Sequence, residues 1–438
     1  MAILSGSATR RWSTLGARWY LGVVPLALLA AALSGATLFA VRPDATGRGD
    51  PAGPLYLADF TRRQLVSIDP ATLDDLADGG ETSATDLDTA RLRSPATSPD
   101  GSRLVTMIND WDVLVRDAET GVERAHLRAP GVACCPRLSA DGTRVAVAAQ
   151  SSGGPSPRPW LYVLDVADGR VQTTAMLHEA GWQPRLWTDP DLRYAYQSVI
   201  AGPPRGERQL APLQIVRTDL TSGSVEWLPL PGVLSGVQPT GTKLRGMPAH
   251  LYLMPGAALS PDGRRLAIVH ADSETLTLVD GARLVVERTL AFRRHRGFLE
   301  RWRPGPAVAE AKLLGEGTER KAIFSPSGRH LYVYGLTWKG DDADPWRFRG
   351  LGIILVDVES GAVLAEALQG QQVDCLLPSS DGGSVYAYGP EQPAGPIVAQ
   401  RPYLLRRLDA ASLTSIAERV LDGYHRPIQQ PGLPEQWC

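Results

Sequence analysis

The sequence predicts an all-β fold, a seven-bladed β-propeller of four-stranded antiparallel blades preceded by one N-terminal transmembrane helix. Three observations lead to this prediction: a tight turn that recurs before short apolar strands, a strand that repeatedly ends in Asp, and a long uncharged stretch near the N-terminus. The chain has 438 residues and a net charge of −2, and 43% of the residues are hydrophobic. A core of ordinary size is therefore possible, and the absence of a basic excess disfavours a nucleic-acid partner.

The recurring turn is clearest in SPDGRRLAIVH, which begins at Ser260. Ser, Pro, Asp and Gly stand at offsets that a β-turn favours, and the apolar residues that follow indicate a strand. Related copies, of which DPDLRYAYQ is the most divergent, begin at Ser98, Ser139, Asp189, Ser325 and Ser379.

A second element follows each turn, an apolar strand that ends in Asp and usually has Gly four residues later. The Asp side chain can accept hydrogen bonds from the backbone two residues on, and Gly suits a left-handed backbone position. The Asp residues are Asp69, Asp117, Asp165, Asp219, Asp280, Asp357 and Asp409. Each repeat is thus interpreted as strand a, the first turn, strand b, a loop, strand c, the Asp turn and strand d. Seven repeats over residues 55–438 predict seven blades.

The first repeat, Leu55 to Pro70, begins at strand b and lacks its own strand a. A closed ring needs this strand, because closure depends on every sheet being complete. We expect the C-terminal segment from Gly423 to Gln430 to supply it.

These two turns give the chain a resemblance to the YVTN and TolB-type WD-repeat-like bacterial β-propellers. The resemblance extends over nearly all of residues 55–438. It implies the propeller fold and says almost nothing about activity, because unrelated functions share such scaffolds.

The N-terminal region divides into three segments. Residues 1–18 contain Arg10, Arg11 and Arg18 and are predicted to be cytoplasmic, and residues 19–41 carry no charge and are long enough for a transmembrane helix. Residues 42–54 are rich in Gly, Pro and Asp and are predicted to be a flexible linker. We expect an uncleaved signal anchor in the cell membrane, with a cleavable signal peptide as the alternative. Both interpretations place residues 55–438 on the extracytoplasmic side.

The long connections between strands are predicted to lie on one face of the disc. Those between strands b and c, and those between strand d and the next strand a, emerge on the same side of an antiparallel blade. They are residues 151–159, 201–211, 337–350, 389–400, 231–255 and 291–320. Variable loops on a rigid scaffold are a common place for binding, so this face is the expected contact surface for a protein or an anionic polymer.

Two groups of residues are candidates for ligand binding. Alternate positions of strand a are expected to line the central channel, and there Arg137, Arg185, Trp187 and Lys321 would attract an anionic ligand. A water-filled channel whose basic residues pair with carboxylates is the alternative. On the loop-rich face, Arg side chains beside aromatic rings suit acidic partners, and the candidates are Arg294, Arg296, Trp302 and Trp338.

No catalytic motif stands out. The sequence has no G-x-S-x-G, H-E-x-x-H, C-x-x-C or P-loop pattern, and we predict no metal and no cofactor. A vicinal Cys134–Cys135 disulfide is possible, whereas Cys135 and Cys375 are expected on nearly opposite sides of the channel. The sequence therefore favours a non-catalytic binding module. The alternative is a propeller enzyme, lactonase-like or quinoprotein dehydrogenase-like, with its site in the channel.

Overall fold

The computed structural model describes a chain of β-strands, with no helix among the residues that it covers. Those residues are 55–59, 64–75, 93–97, 103–108, 111–117, 122–129, 132–150, 159–176, 186–200, 210–244, 247–293, 314–340, 347–379, 381–391, 402–421 and 425–427. Within these ranges there is no helix with the length and apolar character needed to cross a membrane. The predicted membrane span, residues 19–41, and the predicted linker, residues 42–54, lie outside them.

The strands follow the sequence repeat, and the strands of each repeat are here called units 1 to 7. Unit 1 begins with β1 (Leu55–Asp59) and β2 (Gln64–Ile68). Unit 2 consists of β3 (Arg93–Thr97), β4 (Arg103–Ile108), β5 (Asp112–Asp117) and β6 (Glu123–Arg128). Unit 3 consists of β7 (Val132–Leu138), β8 (Arg144–Gln150), β9 (Pro159–Asp165) and β10 (Val171–Met176). Unit 4 consists of β11 (Leu186–Thr188), β12 (Tyr194–Ile200), β13 (Ala211–Asp219) and β14 (Val225–Leu244).

A further strand, β15 (Met247–Met254), leads from unit 4 into unit 5. Unit 5 consists of β16 (Gly256–Leu259), β17 (Arg265–Val269), β18 (Thr275–Asp280) and β19 (Val285–Ala291). Unit 6 consists of β20 (Leu314–Phe324), β21 (His330–Gly340), β22 (Arg347–Asp357) and β23 (Val363–Ala367). Unit 7 consists of β24 (Cys375–Pro378), β25 (Ser384–Pro390), β26 (Tyr403–Asp409) and β27 (Ser415–Leu421). The last strand is β28 (His425–Pro427).

Strand β28 completes unit 1. It pairs antiparallel with β1, joining His425 to Asp59 and Pro427 to Leu57, while β2 lies on the other side of β1. The prediction that the C-terminal segment supplies strand a of the first repeat is confirmed. The last described strand of the chain therefore pairs with the first described strand through main-chain hydrogen bonds.

In units 3, 5 and 7 the first turn is built by its Ser and Asp side chains. In unit 5, Ser260 Oγ donates to Asp262 Oδ1 at 2.6 Å and accepts the backbone N–H of Arg265 at 2.9 Å. Gly263 then takes a left-handed conformation with φ of 70°. The same hydrogen bonds lower the pKa of Asp141 to about 2 in unit 3, the one from Ser139 most strongly.

The Asp turn is closed in a similar way, and its left-handed position is not always Gly. Asp219 Oδ1 accepts the N–H groups of Thr221 and Ser222, both at 2.8 Å, and Gly223 has φ of 72°. Where the repeat lacks this Gly, a Leu adopts the same backbone conformation, and these residues are Leu73, Leu284 and Leu413 with φ of 65°, 53° and 56°. Their side chains are buried, which offsets the steric cost of a left-handed Leu.

The hydrophobic core lies between neighbouring units. Separate buried clusters join units 2 and 3, units 3 and 4, units 4 and 5, units 5 and 6, and units 6 and 7. Antiparallel four-stranded units that stack face to face, with the first completed by the last strand of the chain, have the connectivity of a β-propeller.

Candidate functional site

Three of the predicted long loops are partly strands. Strand β14 continues to Leu244 and returns as β15, β20 begins at Leu314, and the β21–β22 hairpin extends to Gly340 and Arg347. These parts pair in the order β14–β15–β20–β21–β22 and merge units 4 and 6 into one nine-stranded sheet. We call the five paired segments, residues 236–244, 247–254, 314–319, 335–340 and 347–350, the extension sheet. The prediction of loops was wrong here, because distant segments satisfy one another's backbone hydrogen bonds.

A parallel pairing holds the extension sheet together. Leu251 to Met254 of β15 pair with Glu316 to Glu319 of β20, so the segments that precede units 5 and 6 run side by side. Immediately afterwards Gly256 lies against the backbone of Arg320, where an added Cβ would be 2.9 Å from the carbonyl carbon. Only Gly allows the two chains to approach this closely.

An aromatic row crosses the extension sheet. Val237, Tyr252, Gly317, Trp338 and Phe348 are cross-strand partners in succession and share one face. The Trp338 ring lies over Gly317, since a Cβ at Gly317 would be 1.9 Å from the ring. Ring centroids are 5.7 Å apart for Tyr252 and Trp338 and 6.3 Å apart for Trp338 and Phe348, with tilted planes. These distances are typical of favourable aromatic pairs.

The row combines a buried centre with more accessible ends. Trp338 is 8% exposed, whereas Tyr252 and Phe348 are half-buried. His250 continues the row, with its ring 6.2 Å from that of Tyr252. A rigid aromatic ring with a partly exposed face and a fixed neighbour is well suited to bind a partner, because little side-chain entropy is lost.

The extension sheet lies on the side where the long connections emerge. The ends of strands b and d and the starts of strands a and c share that side in an antiparallel unit. Four of the five extended segments are of these kinds, and the fifth, β15, leads directly into strand a of unit 5. The connection from β23 to β24 also crosses this side, where the backbone of Gln371 covers Gly350 and that of Gln372 covers Gly389. The structure thus brings Trp338 to the predicted side, but on a strand rather than in a loop.

The two described basic candidates for the channel are half-buried. Arg137 Nη1 donates to the carbonyl oxygen of Pro136 at 2.7 Å, and burial lowers the pKa of Arg137 to about 9. Lys321 Nζ donates to the carbonyl oxygen of Asp374 at 3.1 Å and lies 6.0 Å from the Tyr334 ring centroid. Arg137 remains cationic at neutral pH, and an anionic ligand near Arg137 and Lys321 stays a prediction.

Trp187 does not occupy the expected channel-lining position. It is 3% exposed and packs with Tyr196, Leu213 and Leu259 in the core between units 4 and 5. The expectation that one face of strand a points into the channel was wrong for this residue, because both faces of the strand contact neighbouring units. Arg185, Arg294, Arg296 and Trp302 lie outside the described residues.

Cys375 is 1% exposed and takes part in a disulfide bond. The side chains of the other three cysteines, Cys134, Cys135 and Cys438, lie outside the described residues. Peptide mapping without reduction would identify the partner. In the described part of the chain no three His, Cys, Asp or Glu side chains are grouped so as to hold a metal ion.

Sequence reasoning missed most of the aromatic row. Tyr252 and Phe348 were not singled out, although LYLM and RFRG each place an aromatic residue among alternating positions. The missing information was the pairing of β15 with β20, which are about 60 residues apart in sequence.

No family model and no curated protein matches the chain. Among solved structures, the chain is similar to the β-propeller domain of Cps50 (Swd1) from Myceliophteria thermophila, with 14% identity, a TM-score of 0.44, and coverage of 78% of this chain and 90% of that one. It is also similar to the hydrazine synthase of Kuenenia stuttgartiensis, with 15% identity, a TM-score of 0.40, and coverage of 72% and 75%. A structure described as a eukaryotic initiation factor has 11% identity, a TM-score of 0.40, and coverage of 88% and 100%.

Proposed function

We propose that the protein is a membrane-tethered, extracytoplasmic binding module with no catalytic activity. In this proposal, units 1 to 7 form a closed seven-bladed propeller of the YVTN and TolB-like type. Its loop-rich face binds a protein or an anionic polymer.

The observation that carries the proposal is the extension sheet. Surface connections are usually irregular, and the repeat needs none of these extra strands to complete a four-stranded unit. Here they form a continuous sheet across the side of units 4 to 6, with the aromatic row Tyr252–Trp338–Phe348 fixed on it. Aromatic anchors on a rigid surface are the residues that most often dominate binding energy at interfaces.

The proposed tether is the uncharged segment of residues 19–41, followed by the linker of residues 42–54. Strand β1 occupies the position of strand b, which begins on the side of the tight turns. The linker would therefore join the tight-turn side, and the extension sheet would point away from the bilayer.

Site-specific photo-crosslinking in cells tests the binding face. A photoreactive residue at Phe348 should give a discrete adduct, while one at the exposed Ser222, in a tight turn on the opposite side, should not. Tyr252→Ala should reduce the Phe348 adduct about tenfold or more, which is the loss expected for an aromatic hot spot. Equal adducts at both positions, or none at Phe348, would refute the proposed face.

Native mass spectrometry of the purified protein distinguishes the binding module from an enzyme. A stoichiometric small-molecule cofactor retained through purification would overturn the non-catalytic proposal. A protein or polymer ligand whose binding is lost in Tyr252→Ala would support it.

Protease accessibility tests the orientation. The protease is added to intact cells, or to spheroplasts if the cells have an outer layer that excludes it. It should cleave near residues 392–401, on the proposed outer side. Protection of this region until the membrane is permeabilised would contradict the extracytoplasmic location.

A further inference from the structure

At the six junctions that the structure describes, the Asp turn of one unit docks on the preceding unit, and two residues differ together between these junctions. The first of these residues lies on strand b of the preceding unit, seven positions after the residue that begins the first turn of that unit. The second lies in the Asp turn of the following unit, four positions after its Asp. In three junctions they are Tyr and Leu: Tyr196 with Leu284, Tyr332 with Leu413, and Tyr386 with Leu73.

In the other three described junctions both residues are small or short. They are Val105 with Gly169, Ala146 with Gly223, and Ala267 with Gly361. At Gly361 an added Cβ would be 2.9 Å from the carbonyl oxygen of Ala291 in the preceding unit. A Leu therefore does not fit there. In the seventh junction the sequence has Tyr56 with Gly121, and this pair lies outside the described side chains.

Each Tyr makes the same hydrogen bond. The hydroxyl groups of Tyr196, Tyr332 and Tyr386 donate to the carbonyl oxygen of the residue after the Asp of the next unit, at 3.2, 3.1 and 3.2 Å. Burial raises the pKa of Tyr332 and of Tyr386 to about 12, so these groups remain donors. The matching Leu packs in the same core as its Tyr at two of these junctions.

At the junction between units 7 and 1, three different side chains of unit 7 donate to backbone carbonyl groups of the Asp69 turn. Besides the Tyr386 bond to Pro70, Arg407 Nη1 donates to the carbonyl oxygen of Ala71 at 2.9 Å. Arg419 Nη1 donates to the carbonyl oxygen of Leu73 at 2.8 Å, and its Nη2 lies 2.9 Å from Asp75 Oδ1. Three side chains of unit 7 thus hold the Asp69 turn of unit 1.

The Asp69 turn is built to present those carbonyl groups. Asp69 Oδ1 accepts the N–H of Ala71 at 2.6 Å, and the N–H of Leu73 bonds to the carbonyl oxygen of Asp69 at 2.8 Å. The N–H groups are used inside the turn, which leaves the carbonyl oxygens of residues 70, 71 and 73 for unit 7. The Leu73 side chain is fully buried.

We propose that Tyr386, Arg407, Arg419 and Leu73 form a side-chain lock that holds unit 1 on unit 7 independently of strand β28. The chain then has two closures of different chemistry. One is the three-residue pairing of β28 with β1, and the other is the lock. The C-terminal strand could detach while the first and last units stay together.

Hydrogen exchange on three full-length variants tests the lock. His425→Pro with Arg426→Pro removes the N–H donors of β28, because Pro427 already lacks one. Tyr386→Phe with Arg419→Gln removes lock donors while keeping the side-chain volumes close. The third variant combines both changes.

We expect the β28 variant to expose residues 57–59 while exchange in residues 69–75 changes less than about threefold. The lock variant should raise exchange in residues 69–75 by about tenfold or more, as expected for the loss of several hydrogen bonds. The combined variant should raise exchange in both segments at once. Tyr332→Phe, which removes the equivalent bond between units 6 and 7, is the matched control and should leave residues 69–75 unchanged.

Two outcomes would overturn the lock. In one, the β28 variant alone deprotects residues 69–75 as fully as the combined variant. In the other, the lock variant leaves them protected. The lock variant keeps β28 intact, so an unfolded lock variant would itself show that β28 does not suffice for closure. The conservative variant Arg419→Lys then gives the exchange measurement.

Discussion

The junction between units 5 and 6 and the junction between units 7 and 1 join similar repeats in different ways. Between units 5 and 6 the main chains pair directly, through β15 and β20, on the side where the long connections emerge. Gly256 also lies against the backbone of Arg320. Between units 7 and 1 the described contacts of the Asp turn come from side chains, Tyr386, Arg407 and Arg419. One repeat architecture therefore tolerates both kinds of junction, and the added main-chain pairing occurs where we propose the binding face.

The ion pairs between units 5 and 6 belong to the tight-turn side. Arg265 and Arg288 of unit 5 both bond to Glu359 of unit 6, Arg265 at 2.5 Å, and Arg265 also lies 3.2 Å from Glu287 within unit 5. Glu359 is exposed, so these pairs are screened by solvent and contribute little to stability. The extension sheet is therefore the feature that distinguishes this junction.

The largest expected effect is at Gly317. Gly317→Leu should destabilise the protein by about 3 kcal/mol, because the new side chain would overlap the Trp338 ring. Chemical unfolding followed by tryptophan fluorescence measures the loss. Gly232→Ala is the matched control on β14, with open space around the added methyl group, and should change stability by less than about 0.5 kcal/mol. Equal stability of the two variants would show that the Trp338 ring does not need the space left by the missing side chain of Gly317.

The next effect concerns the left-handed Leu residues that match a Tyr. Leu413→Ala should cost about 2 kcal/mol, since Leu413 is buried in the core between units 6 and 7. Leu413→Gly should cost about 1 kcal/mol less than Leu413→Ala, because Gly accepts φ of 56° without steric strain. Denaturant midpoints of the two variants give the comparison. A glycine variant less stable than the alanine variant would contradict the strain.

A smaller effect is expected from the Tyr hydroxyl alone. Tyr332→Phe removes the bond to the carbonyl oxygen of Ala410 and should cost about 1 kcal/mol. The pKa of Tyr332 is raised in the folded state to about 12 from 10.0. The unfolded state therefore loses this proton first, and stability should fall as pH rises from 10 to 12. Tyr332→Phe should make stability less dependent on pH between 10 and 12. An unchanged dependence would contradict the contribution of the buried Tyr332 hydroxyl.

The smallest effect is at His270, at the end of strand β17 on the side of the extension sheet. Burial lowers its pKa, with a smaller opposing contribution from Asp272, and its Nε2 lies 2.8 Å from Thr277 Oγ1. The unfolded state therefore binds the proton more readily, so stability should fall as pH drops below about 6.5. His270→Gln should make stability less sensitive to pH between about 5 and 7. Thermal midpoints across this range provide the measurement, and identical slopes would exclude His270 as the source.

Much of the candidate site could not be predicted from the sequence. Trp338 was predicted to contact a ligand from a loop, and it lies instead in a strand whose neighbours are β20 and β22. Trp187 was expected in the channel, and it lies in the core between two units. The first error arose because distant segments satisfy the backbone hydrogen bonds of the extended hairpin. The second arose because strand alternation gives the two faces of a strand but not what lies against each face.

The sequence by itself determined the turns, the strands of the repeat and the completion of unit 1 by the C-terminal segment. These features depend on bonds between residues a few positions apart, such as Ser260 with Asp262, and on the need to satisfy an open sheet edge. Only the tertiary structure decided that β15 pairs with β20 and that Tyr386 reaches Pro70. Those contacts join residues that are far apart in the chain, and their free energy depends on a geometry that exists only once the units are packed together.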